Sequence, residues 1–393
     1  MKELFQSYKK DYPNELSLFI EALKTNEHAC ISQYLKNNEI NERSLLQLIS
    51  RHKIIGYTYK LLLPHLSKST KEKLTSRYSA HSHHTLKFTR QLILISQKLE
   101  ERNFQYIAFK GPVLSQMLYG DPLVKHSVDL DFWVPLKHIE QCHEVLSEAG
   151  FIRVNPRFTL TPKQKEKNYR ISHHYAYVHK DEKVVIELHW NITNPFSLLP
   201  LSFKEAYNSS IKVDLNGHKI NTLSYEHYLL YLAVHGSVHK WARLTWLRDF
   251  SSLLEQTNAQ QQKEVYRLAG RLQLTKPLNQ AFLLASAMFD VAVDESLIKK
   301  ADFRKSIFYK TPLKSMTKAS SSLNLEKIPL LFYKWHIRNS RTYRFSLLFR
   351  LRTHFTDWEM VKLPDNLFFL YYLLRPFLLV FRATQGLLRQ IQK

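Results

Sequence analysis

The pattern of apolar and polar positions divides the chain into two helical flanks around a central region of short apolar runs. In residues 1–85 apolar positions recur at helical spacing, for example at 45–49. From Ser224 onward the helical spacing returns and continues. We therefore predict an N-terminal helical region over 1–85, an α/β core over 86–223 and a C-terminal helical region over 224–393.

The central region predicts a small sheet with helices. In chain order the predicted elements are a helix at about 82–102, a strand at 107–109, a helix at 111–119, a strand at 128–134, a helix at about 136–149 and a hairpin of 169–179 with 183–190. Segment 155–168 is polar and predicts a loop near the site. Only 8 of 393 residues are glycine, which favours helix over an all-β fold with many tight turns. The predicted fold class is α+β.

Two aspartates mark the strand at 128–134, which reads VDLDFWV. Asp129 and Asp131 are two residues apart, so the period of a strand turns both carboxylates to one face. Neighbouring carboxylates repel each other unless a cation lies between them. A divalent metal would resolve the repulsion and would make this strand a candidate site of phosphoryl or nucleotidyl transfer. The same spacing also occurs at strand ends and in turns without a metal.

The residues upstream favour the metal interpretation. Lys110 and Gly111 follow the first predicted strand, where a helix begins. Backbone N–H groups at a helix start favour phosphate, and glycine allows phosphate to approach closely. The order strand, glycine-containing turn, helix and Asp-x-Asp strand resembles the opening of the polymerase-beta-like nucleotidyltransferase fold. The glycine-serine pair that is usual in that superfamily is replaced here by Lys110, Gly111 and Pro112.

Three blocks carry a narrower resemblance: 109–134, 184–190 (VVIELHW) and 235–250 (HGSVHKWARLTWLRDF). Together they resemble the uncharacterised bacterial nucleotidyltransferases, over about residues 45–255. The family pattern is a Lys-Gly pair, Leu-Tyr, a basic residue, Asp-x-Asp and an acidic residue before Leu-His-Trp. Here the matching residues are Lys110, Gly111, Leu118, Tyr119, Lys125, Asp129, Asp131, Glu187, Leu188, His189 and Trp190. The family often has arginine where this chain has Lys125, which lacks the bidentate fork of arginine.

The resemblance implies a site and a reaction. Asp129, Asp131 and Glu187 would bind two Mg²⁺ ions, with Mn²⁺ as an alternative, and the phosphates would contact Lys110, Gly111 and Lys125. The reaction would move an NMP from an NTP such as ATP to a sugar, lipid-linked or protein hydroxyl, with release of pyrophosphate. Family members are often associated with surface-polysaccharide or peptide-modification pathways. From the residues alone, Glu187 lies on a half-buried strand, and a surface strand with one exposed glutamate is the alternative.

The helix after Ser224 carries two histidines at i, i+4 spacing, His235 and His239. Such a pair can bind zinc, but the sequence offers no clear third ligand. We expect contacts to the nucleotide or the acceptor from His189, His235, His239, Lys240 and Arg243. In the alternative, the nearby tryptophans form core and the histidines satisfy buried neighbours.

The charge balance points to an anionic partner. The chain has 57 Lys and Arg against 34 Asp and Glu, a formal charge of +23, which attracts polyanions. Segment 334–352 concentrates this charge, with Lys334, Arg338, Arg341 and Arg344 along one predicted helix. RNA, an anionic glycan and a membrane surface are the candidate partners, and a merely solvated helix is the alternative. The rival functions are a toxin-like nucleotidyltransferase acting on RNA or protein, and a non-catalytic RNA-binding or membrane-peripheral scaffold.

Segment 367–381 is strongly apolar, but Arg375 and Pro376 interrupt it. A membrane-spanning helix needs about twenty apolar residues, and an arginine at mid-membrane is costly. We predict a helix docked in the core, with an interfacial membrane helix flanked by Arg382 and Arg389 as the alternative. The N-terminus has no signal-peptide pattern and the chain has only 2 cysteines, so the predicted location is cytoplasmic, with membrane-peripheral as the alternative.

Overall fold

Helices form both flanks of the protein. The computed structural model describes residues 1–25, 27–194, 196–297, 306–317, 327–348 and 353–391. The helices before the sheet are α1 (Lys2–Lys9), α2 (Asn14–Thr25), α3 (His28–Asn37), α4 (Glu42–His52), α5 (Ile55–Leu62) and α6 (Lys68–Glu101). Those after the last strand are α11 (Tyr225–Val238), α12 (Leu244–Glu255), α13 (Ala259–Arg271), α14 (Thr275–Phe289), α15 (Ile307–Ser315), α16 (Lys327–Ile337), α17 (Arg341–Leu348), α18 (Phe355–Met360) and α19 (Leu370–Ile391).

The middle of the chain alternates strands and helices. In order these are β1 (Ile107–Phe109), α7 (Gly111–Tyr119), β2 (Leu130–Trp133), α8 (Ile139–Glu148), β3 (Phe151–Asn155), α9 (Pro162–Ile171), β4 (His174–His179), β5 (Val185–His189), α10 (Phe203–Asn208), β6 (Ile211–Leu215) and β7 (His218–Thr222). The main sheet has the order β1-β2-β5-β4-β3, in which β2 and β5 run parallel and the other neighbours antiparallel. The predicted α+β class, with a small mixed sheet between helical regions, is confirmed.

The sheet separates two apolar cores. On one face, Ile186 and Leu188 of β5 pack with side chains of α6 and α8. On the other face, Phe109 of β1 and Trp133 of β2 pack with side chains of the helical flanks. Successive strand side chains alternate between faces, so the odd-numbered residues of β2 and β5 point toward the flanking helices. The predicted site residues on these strands therefore lie between the sheet and the C-terminal helices.

Two predicted boundaries differ in the structure. Helix α6 has 34 residues and starts at Lys68, so the predicted division after residue 85 falls inside one continuous helix. Segment 155–168 is not simply a loop, because α9 begins at Pro162. The Thr161 hydroxyl accepts a hydrogen bond from the Gln164 N–H, and the Gln164 side chain bonds back to the Thr161 N–H. This reciprocal capping starts a helix in a sequence whose polarity alone predicts a loop.

The four basic residues Lys334, Arg338, Arg341 and Arg344 do not lie on one helix, which corrects the prediction. Helix α16 ends at Ile337 and α17 begins at Arg341. Arg338, between them, is buried and donates hydrogen bonds to the backbone carbonyls of Leu272 and Ser197. The guanidinium group of Arg338 therefore binds carbonyl groups inside the protein. As a result, the four basic residues do not form a continuous exposed face. Residues 349–352, with Arg350 and Arg352, lie outside the described residues.

Segment 367–381 docks by one narrow stripe only, which corrects the prediction of a core helix. Along α19, Tyr371 and Leu378 are buried against the protein. The side chains on the opposite face, including Leu373 and Phe377, are exposed. Within the described residues, no helix is long and apolar enough to cross a membrane.

Gly56 provides a test of how the N-terminal flank packs on the core. In α5 it lies against the loop before β2, where a Cβ atom would fall 2.7 Å from the Leu123 carbonyl oxygen and closer still to that of Val124. Because backbone must shift to make room, we expect Gly56→Ala to lower the free energy of unfolding by about 1–3 kcal/mol. Urea unfolding followed by circular dichroism measures the change.

Gly270→Ala is the matched control for this prediction. Gly270 also lies in a helix, but its Cβ would meet no atom within 4 Å. Alanine is favoured over glycine in a helix by up to about 1 kcal/mol, so this variant should be as stable as the wild type or more stable. Equal effects of the two substitutions would contradict the close packing of α5 on the loop.

Candidate metal and nucleotide site

The site begins with a pair of carboxylates on adjacent strands. In the parallel pairing of β2 and β5, Asp131 lies opposite Glu187, and Trp133 lies opposite His189. Side chains at paired positions project to the same face. His189 follows Glu187 by two residues and therefore shares that face. Strand pairing thus brings together an aspartate, a glutamate and a histidine that are distant in the sequence.

Hydrogen bonds tie these side chains into one cluster. Asp131 Oδ1 accepts a hydrogen bond from Lys110 Nζ at 2.8 Å and lies 2.9 Å from His189 Nε2. The same His189 nitrogen is 3.3 Å from Glu187 Oε2. Ligand atoms of Asp131, Glu187 and His189 all lie within 4.8 Å of one another. Among the described residues, the buried Asp131 Oδ2 finds no hydrogen-bond partner.

The cluster has an uneven distribution of charge. Burial raises the pKa of Asp131, but Lys110 and His189 outweigh burial, so the net pKa of this carboxyl is lowered. Burial likewise opposes ionisation of Glu187, whereas the bond to His189 lowers its pKa to about 2. Burial lowers the pKa of His189, but both carboxylates outweigh it and the net pKa is raised. The two carboxylates are therefore ionised and held by cationic neighbours.

Asp129 lies beside this cluster, one residue before β2 begins. Burial, and next the charge of Asp131, raise its pKa to about 7. The pKa of a carboxyl group rises in this way when another carboxylate is close and no cation is paired with the group. The group with ligand atoms within 4.8 Å contains Asp131 and Glu187 but not Asp129.

Lys110 and Gly111 form a constrained turn between β1 and α7. Both have a positive φ, of 63° and 47° respectively. The Lys110 N–H donates a hydrogen bond to the Tyr228 hydroxyl, which contacts Thr222 at 2.7 Å, and the Thr222 hydroxyl donates to the Ala108 carbonyl. This chain of bonds holds the turn so that α7 begins next to the carboxylates. Burial lowers the pKa of Lys110, but Asp131 outweighs it and the net pKa is well above the usual value.

A cavity of about 210 Å³ opens beside the cluster. Its walls include the predicted site residues Lys110, Glu187, His189, His235 and His239, together with Tyr231 of α11. Two larger clefts, of about 610 and 600 Å³, lie elsewhere, one lined mainly by α1 and the other among helices of the N-terminal flank. The smaller cavity is the better candidate because Glu187 and His189, two members of the group of ligand atoms, border it.

Lys125, Lys240 and Arg243 do not line this cavity, and neither do the predicted residues Gly111, Asp129 and Asp131 described above. Lys125 is buried and forms an ion pair with Asp249 of α12. Lys240 lies in the turn after α11 with a φ of 57°, and the exposed Arg243 stacks over the Trp246 ring at 5.1 Å. The predicted contacts of Lys125, Lys240 and Arg243 with nucleotide or acceptor stay predictions.

Two histidines of the site were not predicted from the sequence. His173 lies just before β4, and His174 is the first residue of that strand. His174 lies opposite His189 in the antiparallel pairing of β4 with β5. Ligand atoms of His173, His174 and His189 also lie within 4.8 Å of one another, and His174 Nε2 is 3.5 Å from Glu187 Oε1. Burial lowers the pKa of His173 to about 2 and that of His174 to about 4, so both are neutral. The sequence signal for these two residues is a His-His pair at the start of the strand that pairs with β5.

The fold and the site together define an α+β protein with a carboxylate cluster beside a lysine-glycine helix start. Residues 38–290 match the model of the family described as uncharacterised nucleotidyltransferase, and this match spans well over half of the chain. The chain belongs to this nucleotidyltransferase family, which confirms the resemblance and the assignment as an enzyme of this class.

Comparisons with individual proteins add little beyond the family. A search of the curated proteins found no match. Among solved structures, the chain is similar to an antigenic nucleotidyltransferase-like protein from Paracoccidioides brasiliensis, at 16% sequence identity and a TM-score of 0.32, covering 53% of this chain and 95% of that one.

Proposed function

We propose that the protein transfers a nucleoside monophosphate from an NTP to a hydroxyl acceptor and uses a divalent cation bound by Asp129, Asp131 and Glu187. The observation that carries this proposal is the cross-strand pair of buried or half-buried carboxylates, Asp131 and Glu187, in a member of a nucleotidyltransferase family. Glu187 borders the cavity, so it can meet both the cation and a substrate.

The residues present fit a divalent cation. Asp131 Oδ2 is buried and unpartnered among the described residues, and leaving a buried carboxylate oxygen unsatisfied is costly. A cation there would satisfy it, and would also offset both burial and the repulsion from Asp131, which together raise the pKa of Asp129. Carboxylate ligands suit Mg²⁺ or Mn²⁺. The neutral imidazole of His174 would add a nitrogen ligand, whereas His189 would first have to lose its proton. When bound, the cation would neutralise phosphate charge and lower the pKa of a coordinated hydroxyl.

The reaction balances without any further reactant. The acceptor oxygen forms a bond to the α-phosphorus of the NTP while the bond from that phosphorus to the pyrophosphate oxygen breaks. The hydroxyl proton passes to solvent water, and pyrophosphate leaves. Lys110, half-buried beside Asp131, supports this step by placing a positive charge near the phosphates. The start of α7 at Gly111 adds N–H groups that favour the same anion.

The acceptor class follows less directly from the residues. The cavity combines imidazoles with Tyr231 and apolar side chains such as Leu198. Such a wall has polar atoms to orient a hydroxyl and apolar atoms to bury the group that bears it. We propose that the acceptor is a sugar, lipid-linked or protein hydroxyl. Transfer to RNA would instead indicate a toxin-like activity.

The test is a labelling experiment. Purified protein is incubated with each α-labelled NTP, Mg²⁺ or Mn²⁺ and a bacterial extract, and the product is separated into RNA, protein, glycan and lipid fractions. We expect label in one fraction. Glu187→Gln should lower the labelling rate at least about tenfold, because a carboxylate that orients the cation is lost.

Asp181→Asn is the matched control, because it also removes one carboxylate from the β4–β5 hairpin but at an exposed turn position. It should label at the wild-type rate. If no fraction is labelled with any NTP, or if Glu187→Gln labels as fast as Asp181→Asn, the proposed function is wrong.

A further inference from the structure

Helix α19 presents a wide apolar face that nothing in the described structure covers. Half of the large apolar side chains that are exposed in the described residues lie between Leu367 and Phe381. Phe377 is 73% exposed, Val380 66% and Leu373 64%. With Phe369, Tyr372, Leu379 and Phe381 they extend over the whole face opposite the docked stripe. Exposed apolar patches of this kind mark interaction surfaces.

Two arginines of α19, Arg375 and Arg382, are turned toward the protein. Arg375 and Arg382 both form ion pairs with Asp357 of α18, which is fully buried. These bonds hold the helix against the rest of the chain by its one polar side. The opposite face is left without a charged side chain over residues 369–381, because Arg375 is the only charged residue in that stretch. The helix is therefore fastened in place with its apolar side outward.

We propose that α19 binds in the plane of an anionic membrane surface. An interfacial helix has an apolar face rich in leucine and aromatic residues, lies parallel to the membrane and needs no spanning length. Phenylalanine and tyrosine supply four of the exposed side chains named above, and tyrosine is favoured at the membrane interface. This surface is independent of the proposed nucleotidyl transfer.

Charge favours an anionic membrane over a second copy of the chain as the occupant. The protein carries a formal charge of +23, so two copies repel each other whereas anionic lipid attracts each one. The sequence of α19 itself contains arginines at 375, 382 and 389 and no acidic residue. An anionic headgroup layer therefore meets no repulsive charge along the helix.

The test is sedimentation of the full-length protein with vesicles. Vesicles of equal parts phosphatidylglycerol and phosphatidylcholine should bind the protein, more weakly as salt is raised, and vesicles of phosphatidylcholine alone should bind it less. Phe377→Asp combined with Val380→Asp should weaken binding at least about a hundredfold, since each apolar side chain is lost from the lipid and a charge is added. Both side chains are exposed, so circular dichroism should report an unchanged fold.

Two controls separate this proposal from its rivals. Leu86→Asp with Leu94→Asp makes the same kind of change at exposed positions of α6 and should bind vesicles as the wild type does. Asp131→Asn should also bind as the wild type, so loss of activity and loss of membrane binding are distinguishable. Equal binding by the α19 variant and the wild type overturns the proposal. The proposal is also overturned if the wild-type protein does not bind vesicles but forms a dimer that the α19 variant disrupts.

Discussion

Asp131→Asn is expected to lower NMP transfer at least about a hundredfold, the largest loss of activity that we predict. Each factor of ten corresponds to about 1.4 kcal/mol of barrier, and charge stabilisation by a bound cation is worth several kcal/mol. Asparagine keeps the size of the side chain and its bond to Lys110 but removes the charge that would hold the cation. The rate of labelling, measured with the NTP that gives the strongest signal, checks this expectation.

Loss of stability has to be separated from loss of chemistry in this variant. Lys110 and His189 both contact Asp131 Oδ1, so removing its charge leaves a half-buried lysine and a buried histidine without their counter-ion. The double variant Lys110→Met with Asp131→Asn removes one of those partners and should recover part of the lost stability without recovering activity. Binding of Mn²⁺, followed by electron paramagnetic resonance, should weaken in both variants.

A structural role for Asp131 would give a different pattern. If the carboxylate served only to pair with Lys110, activity would follow stability, and the double variant would regain both. Undiminished Mn²⁺ binding in Asp131→Asn would likewise contradict the proposed cation site. The measurement of metal binding therefore distinguishes a ligand from a packing residue even if no acceptor is found.

Much of the predicted site follows from the two-residue period of side chains along a strand. The alternation in β5 placed Glu187 and His189 on one face, and the structure has them on one face beside Asp131. His174 could not be predicted in the same way, because its closeness to Glu187 depends on the register between β4 and β5. Register is set by turn geometry and by the cores on both faces, which a single strand pattern does not contain.

The errors in the predicted fold have three causes: a helix-capping pair, a turn between two strands and tertiary hydrogen bonds. Polarity suggested a loop at 155–168, whereas the Thr161 and Gln164 capping pair starts α9. The hairpin of β6 and β7 was not predicted, although Asn216 and Gly217 form a turn with positive φ of the kind that joins two strands. The spacing of basic residues from Lys334 to Arg344 predicts one helix, but it carries no information about the carbonyl groups that bind Arg338. Tertiary partners decided that position.

Asp249 is the residue whose replacement should cost the most stability. It is buried in α12 and pairs with Lys125, which is also buried. Its Oδ1 accepts hydrogen bonds from the hydroxyls of Tyr57 in α5, at 2.7 Å, and Tyr119 at the end of α7, at 3.0 Å. One carboxylate thus joins the N-terminal flank, the core and the C-terminal flank.

Asp249→Ala is expected to lower the free energy of unfolding by about 3–5 kcal/mol, because Lys125 would keep a buried charge without its counter-ion. Urea unfolding followed by circular dichroism measures the change. The exposed Asp181→Ala should change it by less than about 0.5 kcal/mol. Asp249→Leu with Lys125→Met removes both charges and should recover most of the loss, since replacing a buried pair with apolar residues is often neutral.

The same pair of variants tests the predicted phosphate role of Lys125. If Lys125 also binds phosphate, the stable double variant should bind NTP less tightly than the wild type, although its fold is restored. If the lysine serves only to pair with Asp249, NTP affinity should return together with stability. An Asp249→Ala protein as stable as the wild type would contradict the whole account, because a buried lysine cannot lose its only described ion-pair partner without cost.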